Sequence, residues 1–128
     1  MTKKAEEVLT AWFQAVNTGD LESTLALYNE KAVLIPTFSN KLLTDPEKIR
    51  DYFVKLTSRE QLSVTLREKT LTIQPVQYDV YALSGIYLWR FVVEGELLNF
   101  EARFSYVLDL TLAAPILHHH SSQVPRML

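Results

Sequence analysis

The chain has 128 residues, 48% of them apolar and 22% charged, with a net charge of −2. That length supports one domain with a real core, and the charge balance gives nucleic acid or an anionic membrane surface no electrostatic hold. Cysteine is absent, which excludes disulfides and thiolate-based zinc or redox chemistry.

The opening Met1-Thr2-Lys3-Lys4-Ala5-Glu6-Glu7 lacks an apolar signal core, and no stretch is long and apolar enough to span a bilayer. A single cytoplasmic domain over residues 1–128 is the expectation. Ala5, Val8, Leu9, Trp12, Phe13 and Val16 recur at helical spacing. Gly19 suits a left-handed cap, and Asp20 can cap a second helix over about Leu21 to Asn29, burying Leu21, Leu25 and Tyr28. Ala32 to Pro36 reads as a short strand. Asp45-Pro46-Glu47 starts a third helix, running to about Thr57 and burying Ile49, Tyr52, Phe53 and Leu56.

From Gln61 the period changes to two. Leu62 to Leu66 alternates, and the pattern continues through Leu71-Thr72-Ile73 to Pro75. Gln77-Tyr78-Asp79 is a turn, and Val80 to Val93 a long strand in which Gly85 suggests a bulge or bend. Glu94-Gly95-Glu96 makes a tight hairpin, Leu97 to Leu110 the partner strand, and Ala113 to Val124 the last. Helices first and a long antiparallel meander after them define an α+β fold, with the helices on one face of a strongly curved sheet.

This order of elements resembles the nuclear-transport-factor-2-like (SnoaL-like) superfamily of cone-shaped α+β barrels. Within it, the chain resembles the association (hub) domain of calcium/calmodulin-dependent protein kinase II and its free-standing bacterial relatives. The residues carrying the resemblance are Ala15-Val16-Asn17-Thr18-Gly19-Asp20-Leu21-Glu22-Ser23, Pro36, Tyr52-Phe53, Glu101-Ala102-Arg103, and His118-His119-His120-Ser121-Ser122 with Pro125. Neither kinase activity nor calmodulin binding follows from it. The hub pocket is lined by several arginines. Here Arg103 matches one of them, while Tyr87 and Ser121 stand where others would be. The turn that is polar in most relatives is the apolar Leu110-Thr111-Leu112-Ala113-Ala114-Pro115.

The resemblance places Arg103 in a pocket under the helices, where a guanidinium would capture a carboxylate or phosphate; an ion pair with Glu101 or Glu96 is the plainer alternative. It places Tyr87, His119 and Ser121 there too, and helical spacing packs Trp12 and Tyr28 over the mouth. His118 and His120 then fall on the outer face, an assignment that a bulge in the strand would reverse. Phe100, Phe104 and Tyr106, opposite Arg103 in the alternation, are expected to join His118 and His120 in a homodimer interface, with higher rings as a further possibility. The histidines lack a third adjacent ligand, so no metal is expected, and no cofactor.

Two functions follow. One is a self-associating domain that binds a small acidic molecule. The other is a small enzyme of the polyketide-cyclase or ketosteroid-isomerase kind, with His119 or Glu101 as base and Tyr87 as electrophile.

Overall fold

A computed structural model describes residues 2–128. Helix α1 (Thr2–Asn17) buries Ala5, Leu9, Trp12 and Val16, a stripe with the spacing of one helix face. Gly19, at φ 69°, turns the chain out of it, and the Asp20 carboxylate caps α2 (Leu21–Ala26) by accepting from the Ser23 amide. The second helix ends at Ala26, earlier than its apolar spacing predicts. Tyr28 opens strand β1 (Tyr28–Ile35) instead, already in register with Ile116. A buried hydroxyl partner and a neighbouring strand outweigh local propensity there. Helix α3 (Pro46–Thr57) starts where Asp45 accepts from the Lys48 amide, with proline in its first turn.

The remaining elements are β2 (Ser63–Leu66), a 3-10 turn (Glu68–Thr70), β3 (Thr72–Gln77), β4 (Val80–Val93), β5 (Glu96–Asp109) and β6 (Ile116–Gln123). They form one six-stranded sheet in the order β1-β6-β5-β4-β2, with β3 sharing the outer edge of β4. Only the β1–β6 pair is parallel among the described residues. The β4–β5 hairpin keeps one register from Val80↔Asp109 to Val93↔Glu96. It closes through Glu94 and Gly95 at φ 50° and 81°, the left-handed pair that a two-residue turn of this hand requires.

Gly85 is not a bulge. It pairs directly with Phe104, and a Cβ at this position would lie 3.0 Å from the Phe104 ring. The glycine leaves room for a ring lying across the strand.

The inward face of the sheet presents Leu83, Tyr87, Trp89 and Phe91 from β4 and Ala102, Phe104, Tyr106 and Leu108 from β5, all buried. The Trp12 ring of α1 lies against Tyr87, Trp89, Tyr106 and His119, so the helices sit on this face. The opposite face carries Glu101, Arg103, Ser105, His120 and Ser122, all exposed. This reverses the faces expected for β5. Four inward apolar side chains on one strand contribute roughly 1.5–3 kcal/mol each for the larger ones, whereas burying an unpaired guanidinium costs several kcal/mol. Among the described residues no helix is long and apolar enough to cross a membrane.

Candidate functional site

Five of the expected pocket residues meet beneath the helices. Alternation along β6 turns His119 and Ser121 inward, and β4 does the same for Tyr87. The Trp12 indole N–H donates to the Tyr28 hydroxyl at 3.0 Å. That hydroxyl lies 2.7 Å from His119 Nδ1, and the Tyr87 hydroxyl lies 3.1 Å from His119 Nε2. An indole N–H can only donate, so Tyr28 accepts from Trp12 and has one proton left for Nδ1. His119 therefore carries its own proton on Nε2 and donates it to Tyr87, the assignment that pairs every proton along the Trp12–Tyr28–His119 relay. The Tyr87 hydroxyl proton then points on toward Ser121 and Thr37, whose hydroxyls are hydrogen-bonded to each other.

This imidazole is held neutral. Burial first, then the neighbouring His118 and His120, pull its pKa down from 6.5 to about 3. Burial likewise raises the phenols of Tyr28, Tyr87 and Tyr106. The Tyr106 ring stacks on His119 with centroids 3.9 Å apart. Next to it, the space bounded by Leu9, Trp12, Tyr106 and Ile116 does not admit a water molecule. The centre of the domain is a packed aromatic core threaded by hydrogen bonds, and its His119 is a poor proton carrier at neutral pH.

Arg103 is not part of it. Its neighbours in the sheet are Ile86 and Ser122, and it points outward with them. Glu101 shares that outer face and is bonded to Arg67 at 2.8 Å, so it neither pairs with Arg103 nor lies near His119 as a base. Phe104 and Tyr106 are 2% and 1% exposed and have no surface to offer a second subunit. Phe100 is half-buried among Phe38 and Phe91 on the inner side. His118 and His120 do lie on the outer face, half-buried and exposed respectively. No group of three or more potential metal ligands converges among the described residues.

A roomier open space lies elsewhere, between α3 and the loop that follows β1. It measures about 550 Å³ and is lined by Phe38, Lys41 and Leu42 of the loop, Lys48, Asp51, Tyr52, Lys55 and Leu56 of α3, Arg59 just beyond, and Phe91 of β4. Four cations face one acid there, over aromatic walls. Arg59 sits 5.8 Å above the Phe91 ring, and the Phe38 amide donates to the Tyr52 hydroxyl at 3.4 Å. Read singly, Lys55 and Arg59 look like solvated surface. The overlooked signal is their spacing: Lys48, Tyr52, Lys55 and Arg59 recur at helical intervals along one face of α3.

A helical layer on one six-stranded curved sheet, with its polar cluster on the concave side, defines an NTF2-like α+β domain. Residues 5–127 match the SnoaL-like domain model, and the chain belongs to that family. Among solved structures, it is similar to a candidate calcium/calmodulin-dependent protein kinase II association domain from Xanthomonas campestris. The TM-score is 0.87 at 23% identity, covering 99% of this chain and 90% of that one. A candidate dehydratase of the NTF2-like family from Streptomyces avermitilis gives 0.84 at 14% identity, covering 98% and 96%. A ketosteroid isomerase-like protein from Erwinia carotovora atroseptica gives 0.74 at 11%, covering 94% of each chain. At these identities the likeness is one of fold. No curated protein matches the chain in sequence.

Proposed function

We propose that this chain is a self-associating domain that binds a small amphipathic anion without turning it over. The observation that carries the reading is the groove along α3: four cations against one acid, beside Phe38, Tyr52 and Phe91, in a volume suited to a small molecule. Cations on an aromatic floor suit a flat carboxylate, which can lay its body on the rings and its charge on the amines. Arg103, His119 and Ser121 are replaced in this role by groove residues.

Self-association is assigned to the outer face of the sheet. Val33, Ile35, Ile86, Leu88 and Val107 keep part of their apolar surface there, beside His118 and His120, and no element among the described residues covers them fully. The similarity to an association domain in the Xanthomonas protein supports self-association.

The enzyme alternative rests on the dehydratase and isomerase-like neighbours. Against it stand the base candidates: His119 is neutral with both ring nitrogens bonded, and Glu101 is tied to Arg67 on the far face.

Calorimetric titration with 2-naphthoate tests the binding reading. Wild type should bind it saturably, and a Lys55→Ala/Arg59→Ala variant should bind at least tenfold more weakly, the loss of about 1.4 kcal/mol. No saturable binding, or equal binding by the variant, would overturn it.

A further inference from the structure

Behind the groove lies a hydrogen-bond donor with nothing to donate to. Trp89 is 2% exposed, and its indole Nε1 has no partner among the described residues. A buried N–H left this way costs free energy, and such a group asks for an acceptor. The Tyr87 ring packs edge-on to the indole at a centroid distance of 5.4 Å, yet the two make no hydrogen bond. The Tyr87 hydroxyl, which accepts from His119, can turn its own proton from the Thr37–Ser121 pair to a ligand. Two donors and a Thr37–Ser121 hydroxyl pair thus share one corner of the core.

Phe38 separates that corner from the groove. Its ring lines the groove and lies edge-on against Trp89, Phe91 and Phe100 at centroid distances of 5.7, 5.1 and 5.3 Å. It is half-buried and comes from the loop after β1, where a rotamer change displaces no strand. The space its ring fills is bounded by three aromatic rings set at 80°, 88° and 74° to it, a slot that suits a flat ring.

We infer that the ligand is an aromatic keto acid whose ring takes the place of the Phe38 side chain, with its carboxylate on Lys55 and Arg59 and its carbonyl oxygen accepting from Trp89 Nε1–H and Tyr87 O–H. This rests on the groove being the binding site and adds the chemical class of the molecule. The acceptor must be uncharged or weakly charged, since the corner offers no cation, and the anionic end must stay outside with the amines. Trp89 is then a specificity-determining residue that neither spacing nor alternation would single out from a core tryptophan.

A matched pair of probes tests it: 6-acetyl-2-naphthoate, which carries the ketone, and 6-ethyl-2-naphthoate, which has the same shape without it. Wild type should prefer the ketone by tenfold or more, and Trp89→Phe should cut that preference about tenfold, the worth of a buried hydrogen bond, while still binding both. Should Trp89→Phe fail to fold, the wild-type indole N–H resonances give the same answer. The Trp89 signal should move with the ketone and stay with the ethyl analogue, and that of Trp12, already bonded to Tyr28, should stay in both. Binding of both probes with equal affinity, or a ketone preference undiminished in Trp89→Phe, would overturn this inference and leave the groove standing. Failure of wild type to bind either probe would overturn the groove and the inference together.

Discussion

Lowering the pH from 7 to 5 should cost the fold about 2 kcal/mol through His119 alone. Unfolded, this imidazole titrates at its ordinary 6.5; folded, it does so at about 3, because the core around it excludes water. The folded value is the lower one, so between pH 6.5 and 3 the unfolded chain holds a proton that the folded one does not. Stability is therefore complete above the upper value and falls as the pH falls through the window. Each pH unit inside it is worth about 1.4 kcal/mol, and the drop to pH 5 crosses about one and a half units. The carboxylates with lowered pKa (Asp20, Glu22 and Asp109) start from ordinary values of 3.8, 4.5 and 3.8 and lose their contributions mostly below this interval. Urea unfolding at pH 7 and pH 5, on wild type and His119→Gln, isolates the effect. The variant should be weaker at both pH values, since it breaks two buried hydrogen bonds, but should lose about 2 kcal/mol less than wild type over the interval. Equal losses in the two proteins would show that His119 is solvated or already charged in the fold, and the relay from Trp12 to Tyr87 would have to be redrawn.

Three further outcomes are expected. Gly85→Ala should destabilise by about 1–3 kcal/mol in the same urea assay, because the added methyl meets the Phe104 ring at 3.0 Å and neither strand can shift; the Phe104→Leu background should relieve most of it. Asp45→Ala should cost about 1 kcal/mol by removing the acceptor for the Lys48 amide at the start of α3, seen as a lower thermal midpoint. Leu88→Glu on the outer sheet face should leave thermal stability within about 0.5 kcal/mol and convert a dimer to a monomer in sedimentation equilibrium. A wild type that sediments as a monomer would remove that face from consideration.

Much of the architecture can be read from pattern. The alternation of Val80 to Val93 and the Glu94-Gly95 turn give β4 and its hairpin directly, since both depend on neighbours in sequence. Tyr28 misleads because it fits the apolar face of a helix equally well. Its place in β1 is decided by Ile116 and His119, far along the chain. For β5, alternation separates Arg103 from Phe104 without saying which face is inward; weighing a whole aromatic row against one cation gives the observed answer, and following the single arginine does not. The α3 groove is half visible: Lys48, Tyr52, Lys55 and Arg59 share a helix face by spacing, but Lys41, Phe38 and Phe91 join them only through tertiary structure. The unpaired indole of Trp89 has no sequence signal at all, because an orphaned donor is defined by what surrounds it.

The placement of β6 has a consequence for biosynthesis. It is the last of the six strands to leave the ribosome, yet it sits between β1 and β5 and supplies the imidazole that joins Tyr28 to Tyr87. A nascent polypeptide stopped at residue 115 would carry two raw strand edges and a tryptophan-rich hollow with no plug. Such a chain must wait, sticky and unfinished, until residues 116–123 have emerged. Chaperone dependence during synthesis, and aggregation of any version truncated before β6, are built into this strand order.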